Sequence, residues 1–290
     1  MQTLLYAIGG LILTYLFLSL VFTYLVQEYP RRPFRDPPDW GRVTDTSIAA
    51  GEGGRLEVWR VEPEGPSRGI VVLAHGWGRN RDRMVQRARH FGRWGFTCVI
   101  HSARDHGGSS PRRFMNAARM AEDIEAVLDW IGEPVLLYGH SAGAGAAILA
   151  AHRRPGRVRL LFLEACYADT HEALLSLYRW FNRFFGLAFG PLIVFWMDLF
   201  YRNRLKDVSP ARLAPSLRMP VMIIHGAHDR RFPLAFALRL RDCLPPDRVE
   251  LFVAAGARHS ESSFDPAYPA AVRNFIARHL GGMEDSRGAA

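Results

Sequence analysis

Short apolar runs alternate with amphipathic ones along most of this chain. Runs at 56–61, 70–74, 96–100, 134–138, 158–163, 220–226 and 249–253 are five to seven residues long and rich in Val, Ile, Leu and Phe, as buried strands require. Between them the period lengthens. The stretches 82–94 and 115–131 predict helices, the second with Ile124, Val127, Leu128 and Ile131 at helical spacing, and the small residues of 144–152 predict another. Strand and helix in alternation predict an α/β class: a doubly wound, mostly parallel sheet whose ligands meet the carboxyl ends of the strands. A chain of 290 residues, 49% hydrophobic, is long enough to bury one such core and carry attachments.

The N-terminal pattern is different in kind. Residues 4–26 are 23 mostly apolar positions without a charge, enough to cross a bilayer about 30 Å thick. Tyr24 and Tyr29 stand at the far end, where an aromatic belt sits. Arg31, Arg32, Arg35 and Arg42 follow, and no Lys or Arg precedes. This predicts a single-pass membrane anchor at 1–28, with the N-terminus outside and the rest of the chain in the cytoplasm. A cleaved signal peptide would need a basic start and a small-residue cleavage site, which the segment lacks. Pro30, Pro33, Pro37 and Pro38 make 29–45 read as a stiff Pro/Arg-rich linker, followed by a folded domain at 46–280 and a loose tail at 281–290.

One stretch carries chemistry. Gly139-His140-Ser141-Ala142-Gly143 joins the strand run 134–138 to the helix run 144–152. A serine at the apex of such a turn is pushed out above the sheet edge, and small residues must flank it because larger ones would collide. The helix that follows points its positive end at the serine. A serine hydroxyl is a weak nucleophile at neutral pH and needs a base, itself oriented by a carboxylate. Asp229 follows the strand run 220–226, and His259 lies on the loop beyond the run 249–253. Both stand after the serine and just past strand ends. Glu164, at the end of the run 158–163, is an alternative acid, and His228 a weaker rival for the base.

Four motifs occur in order: His75-Gly76-Trp77-Gly78, Gly139 to Gly143, His225-Gly226-Ala227-His228-Asp229 and Gly256-Ala257-Arg258-His259. Together they resemble the α/β-hydrolase superfamily over residues 50 to 280, closest to its monoacylglycerol-lipase or serine-aminopeptidase-like branch, which implies a sheet of the eight-stranded type. The resemblance implies Ser141 as nucleophile, His259 as general base and Asp229 as orienting acid, with the N–H groups of Ala142 and Trp77 holding the oxyanion. His75, His140 and His225 read as rings that brace loops. In this superfamily an insertion after the strand run 158–163 commonly forms a lid, so 168–210 is expected to be a helical lid that offers Phe184, Phe189 and Trp196 to an acyl chain.

Composition removes several classes. No H-E-x-x-H or paired C-x-x-C is present, so neither a metal nor another cofactor is expected. Cys98, Cys166 and Cys243 are scattered and odd in number, which reads as free thiols in a reducing compartment. The net charge is +9 with Lys206 as the only lysine, but the arginines are dispersed and no nucleic-acid module accompanies them. The expectation is a membrane-anchored serine hydrolase of carboxylic esters, with lipid-like acyl substrates favoured by the anchor and the apolar insertion. A thioesterase, an aminopeptidase-like hydrolase and a non-catalytic scaffold of the same fold are the alternatives.

Overall fold

The computed structural model describes residues 1–28, 31, 35–202 and 204–281. Pro30, Arg32 and Pro33 of the expected linker, and all of the expected tail but Gly281, lie outside the described residues.

Eight strands form one sheet in the order β1-β2-β4-β3-β5-β6-β7-β8. They are β1 (Arg42–Ala49), β2 (Arg55–Glu62), β3 (Ile70–Ala74), β4 (Thr97–His101), β5 (Val135–His140), β6 (Val158–Glu164), β7 (Val221–Gly226) and β8 (Val249–Ala254). The β1–β2 and β2–β4 pairs are antiparallel, and every pair from β4 to β8 is parallel. Every strand run expected from the sequence is present. The first strand is an addition, and it corrects the linker boundary, because residues 42–45 already pair with β2.

Alternation along the central strands builds two cores. Ile70, Val72, Val135, Leu137, Leu161, Leu163, Val221 and Ile223 point to one face. There they meet α3 (Ala117–Ile131), α4 (Ala142–Arg153) and α9 (Leu234–Asp242). Val71, Leu73, Leu136, Tyr138, Leu160, Phe162, Met222 and Ile224 point to the other, against α2 (Val85–Arg93) and α10 (Tyr268–Leu280). Burial on both faces is why these runs read as nearly continuous apolar sequence.

Two further groups of helices attach to this body. Between β6 and β7 run α5 (Thr170–Phe181), α6 (Arg183–Ala188), α7 (Gly190–Phe200) and the short α8 (Pro210–Leu213). The N-terminal α1 (Gln2–Leu25) is 24 residues long and is the one described helix long and apolar enough to cross a membrane. It does not stand apart. Trp196 of α7 donates to Ser19 Oγ at 2.8 Å, Tyr201 donates to Gln27 Oε1 at 2.6 Å, and Phe22 packs edge-on against Phe185 and Phe189.

Histidines brace the loops at the carboxyl rim. A carbonyl only accepts, so each hydrogen bond fixes a tautomer. His75 Nδ1 donates to Gly76 O at 2.7 Å and its Nε2 accepts from Ala103 N at 3.0 Å. His106 Nδ1 donates to Arg104 O and its Nε2 accepts from Gly78 N at 3.1 Å. His140 Nε2 donates to His259 O at 3.2 Å, and His225 Nε2 to Phe232 O at 2.8 Å. All four rings are buried, as is His101. Burial disfavours the charged ring in each and holds its pKa below 6.5, in His101 down to about 4. The folded state therefore keeps these rings neutral at pH values where the unfolded chain protonates them. Their stabilising contribution is complete above about pH 6.5 and is lost as pH falls below it, by up to about 1.4 kcal/mol per pH unit for each group. Urea unfolding at pH 7 and pH 5 should show a loss of several kcal/mol at the lower pH. A flat or rising stability over that interval would contradict neutral buried rings.

Candidate active site

Strand β5 ends at His140 and α4 begins at Ala142, so Ser141 alone makes the turn. Its backbone takes φ 56° and ψ −121°, a conformation that side-chain-bearing residues rarely hold. Close packing enforces it. A Cβ on Gly139 would lie 2.4 Å from Gly143 O, and one on Gly143 would lie 2.4 Å from His75 O. The amide of Ser141 donates to Glu164 O at 2.8 Å, and its carbonyl accepts from Ala144 N at 2.9 Å. The turn is thus clamped on both sides, and the hydroxyl stands at the sheet rim, half-buried, over the N-terminus of α4.

Three side chains distant in sequence meet there. His259 Nε2 lies 2.9 Å from Ser141 Oγ, and His259 Nδ1 lies 2.7 Å from Asp229 Oδ2. The ionised carboxylate only accepts, so Nδ1 carries the ring proton and Nε2 is left to accept from the serine hydroxyl. The other oxygen of Asp229 is held by the amides of Arg231 at 2.8 Å and Phe232 at 3.0 Å. Both Asp229 and His259 are buried, and the Phe232 ring stands edge-on against the imidazole at 5.2 Å. His228, by contrast, is exposed and carries no part of this cluster.

The β3 loop lines the other side of the hydroxyl. A Cβ on Gly76 would be 3.0 Å from Ser141 Cβ, which puts His75-Gly76-Trp77-Gly78 directly beside it. Gly78 N is taken by His106, whereas the N–H groups of Trp77 and Ala142 have no acceptor among the described residues. Two unspent donors beside one hydroxyl form a cradle for negative charge.

Glu164 is not near the imidazole but sits in a buried network of its own. Arg87 of α2 pairs with it through Nε and, at 2.6 Å, through Nη2, and Tyr138 donates to it at 2.8 Å. Burial by itself would lower the Arg87 pKa, but the charge of Glu164 and its hydrogen bonds outweigh that and hold it above the ordinary value. Arg87 also donates to Ser260 O at 3.3 Å, next to His259. The pair therefore ties the backbone that anchors Ser141 to the loop that carries the imidazole. Arg87 escaped the sequence reading. Its one signal is position, since it falls among Val85, Ala88 and Phe91 on the buried side of α2.

The apolar insertion is distributed differently from the expectation. Phe189 and Trp196 pack on α1, while Phe184 is 83% exposed. On α5, Leu177 joins Tyr167, Phe232 and Phe236 in a cluster beside the Asp229 loop. Among the described residues no group of three or more His, Cys, Asp or Glu is disposed to hold a metal ion. The three cysteines are free, two of them buried.

Known proteins resemble this chain in sequence and in fold. A monoacylglycerol lipase of Mycolicibacterium smegmatis is 25% identical over 72% of this chain and 88% of its own. The uncharacterised protein YqkD of Bacillus subtilis is 22% identical over 99% of each chain. The structure of the Pyrococcus furiosus esterase Pf2001 superposes with a TM-score of 0.71 at 16% identity, covering 88% of this chain and all of that one, and so shares the fold. The model of the family described as serine aminopeptidase, S33 matches residues 65–212. With an eight-stranded α/β-hydrolase sheet and that match over half its length, the chain belongs to the serine aminopeptidase S33 family of α/β-hydrolases.

Proposed function

We propose that this protein is a membrane-anchored serine hydrolase that cleaves carboxylic esters, with lipid-like acyl esters as its substrates. The observation that carries the reading is His259 bridging Ser141 and Asp229 at 2.9 and 2.7 Å. In this reading Ser141 Oγ attacks the ester carbonyl while His259 Nε2 takes its proton. The oxyanion that forms accepts from the N–H groups of Ala142 and Trp77, each worth on the order of 3 kcal/mol of barrier. The tetrahedral intermediate collapses, and the alcohol leaves with the proton from His259. Water then attacks the acyl-enzyme by the same route and releases the acid. Asp229 stays ionised, holds the tautomer and stabilises the imidazolium.

The lipid-like substrate is supported by three things. One relative, 25% identical over 72% of this chain, is a monoacylglycerol lipase. A 24-residue apolar helix precedes the domain. The insertion keeps Phe181, Phe184 and Leu187 exposed. Residues 1–28 serve as the single span, with the domain on the cytoplasmic side as the arginines after the span require, and α5 to α7 serve as the lid.

A fluorophosphonate probe should label the full chain covalently, and Ser141→Ala should abolish the label. A folded protein that stays unlabelled would favour a scaffold. Asp229→Asn should lower kcat about ten-thousandfold. Glu164→Gln should act mainly through stability, because it leaves Arg87 buried without its charge partner. If Glu164→Gln removed turnover while Asp229→Asn kept it, the acid would be misassigned. In a substrate panel, long-chain acyl esters should outrun aminoacyl amides; the reverse order would make the enzyme an aminopeptidase.

A further inference from the structure

An open cleft of about 630 Å³ lies where α5 meets α6, lined by Ser176, Arg179, Trp180, Arg183, Leu187 and Arg230. Its construction is specific. Gly186 lets α6 cross the last turn of α5, for a Cβ there would lie 2.5 Å from Arg179 N. That crossing brings Arg179 and Arg183 together. Arg230 arrives from the Asp229 loop, which is pinned to α5 by the Ser176 hydroxyl donating to Arg231 O at 2.7 Å. Arg231 lays its guanidinium over the Trp180 ring at 3.9 Å. Many arginines of this chain are held by carboxylates, as Arg81, Arg87, Arg104 and Arg239 are. Arg179, Arg183 and Arg230 have no carboxylate partner among the described residues, and none lines the cleft.

The cleft has a second character. Phe181 and Phe184, next to it in the chain, are 77% and 83% exposed. Phe185, one residue on, packs against Phe22 of α1. The contacts of α1 with α6 and α7 begin at Tyr15, which donates to Ala188 O, and continue through Ser19 and Phe22. A helix from Gln2 to Leu25 is about 36 Å long, and residues 2 to 15 account for only about 20 Å of it. Crossing about 30 Å of hydrocarbon therefore takes more of α1 than its free part. The last third of the span must share the near leaflet with α6 and α7. The free arginines then stand at the depth of the head groups.

We propose that Arg179, Arg183 and Arg230, around Trp180, form a docking site for the phosphate of an anionic lipid in that leaflet, with Phe181 and Phe184 inserted among the acyl chains beside it. The proposal rests on the reading of α1 as a span. It adds that the lid corner is itself a membrane-bound element, held within one loop of Asp229. Three guanidiniums offer charge and paired donors to phosphate oxygens, and basic residues at a leaflet surface favour anionic lipid over zwitterionic lipid.

Full-length protein in phosphatidylcholine nanodiscs carrying a minor fraction of phosphatidylglycerol tests the site. Phosphatidylglycerol brominated on its acyl chain should quench tryptophan emission more than equally brominated phosphatidylcholine at the same fraction. That excess should vanish in Trp180→Phe, which identifies the reporter. In R179Q/R183Q/R230Q the lipid dependence of the excess should weaken about tenfold or more, while quenching by brominated phosphatidylcholine persists and shows the corner still folded and embedded. Equal quenching by the two lipids, or an excess that survives the triple substitution, would overturn the site. Millimolar inorganic phosphate that erased the excess and shifted Trp180 emission in neutral discs would make it a site for a soluble anion and overturn the lipid assignment. A chain that neutral discs fail to retain contradicts the span; Trp180 quenching by phosphatidylglycerol vesicles, with and without the three arginines, then still decides the arginine site.

Discussion

The site depends on one strained residue. Ser141 holds φ 56° because the helix after it is packed against the strand ends before it, with glycines at the two places where a side chain would collide with backbone. That packing costs conformational freedom and is offset by the buried sheet beneath. The reward is geometric: the hydroxyl leaves the backbone at a fixed angle, beside two free amides and the imidazole of His259. Relaxing the turn would leave the same residues present and the cradle dispersed.

The surrounding structure fixes the other two partners by burial rather than by local sequence. Asp229 is gripped by the amides of Arg231 and Phe232, and the His259 loop by His140 and Arg87. The Arg87–Glu164 pair runs from α2 across the sheet edge to both the serine turn and the histidine loop. Removing one member of such a pair strands a buried charge, at about 3–5 kcal/mol. The pair is thus better read as a positioning device than as a source of net stability.

Much of this was legible in the sequence because it is periodic or punctuated. Fully buried strands appear as apolar runs, and the glycines around Ser141 mark the turn. The strand β1 was not legible, since Arg42–Ala49 is an edge strand whose residues are mostly exposed and polar, so no apolar run marks it. Arg87 was hidden because an arginine in an amphipathic helix normally faces water. The apolar N-terminal run also concealed a pattern: Ser19, Thr23 and Gln27 recur every four residues on one face. Ser19 and Thr23 are fully buried, and Ser19 and Gln27 receive Trp196 and Tyr201. A polar stripe on such a helix marks the side that meets protein rather than lipid, and here it joins α1 to α7 and Tyr201.

In the proposed reaction one alcohol, one imidazole and two amides converge on the same ester carbonyl. The most direct measurement is a crystal structure of the full chain captured by a phosphonate. Phosphorus should be bonded to Ser141 Oγ and the phosphoryl oxygen should lie about 2.7–3.1 Å from the amides of both Ala142 and Trp77, with the His259 imidazole still on Asp229. Phosphorus on another residue, or a phosphoryl oxygen turned away from those two amides, would contradict it.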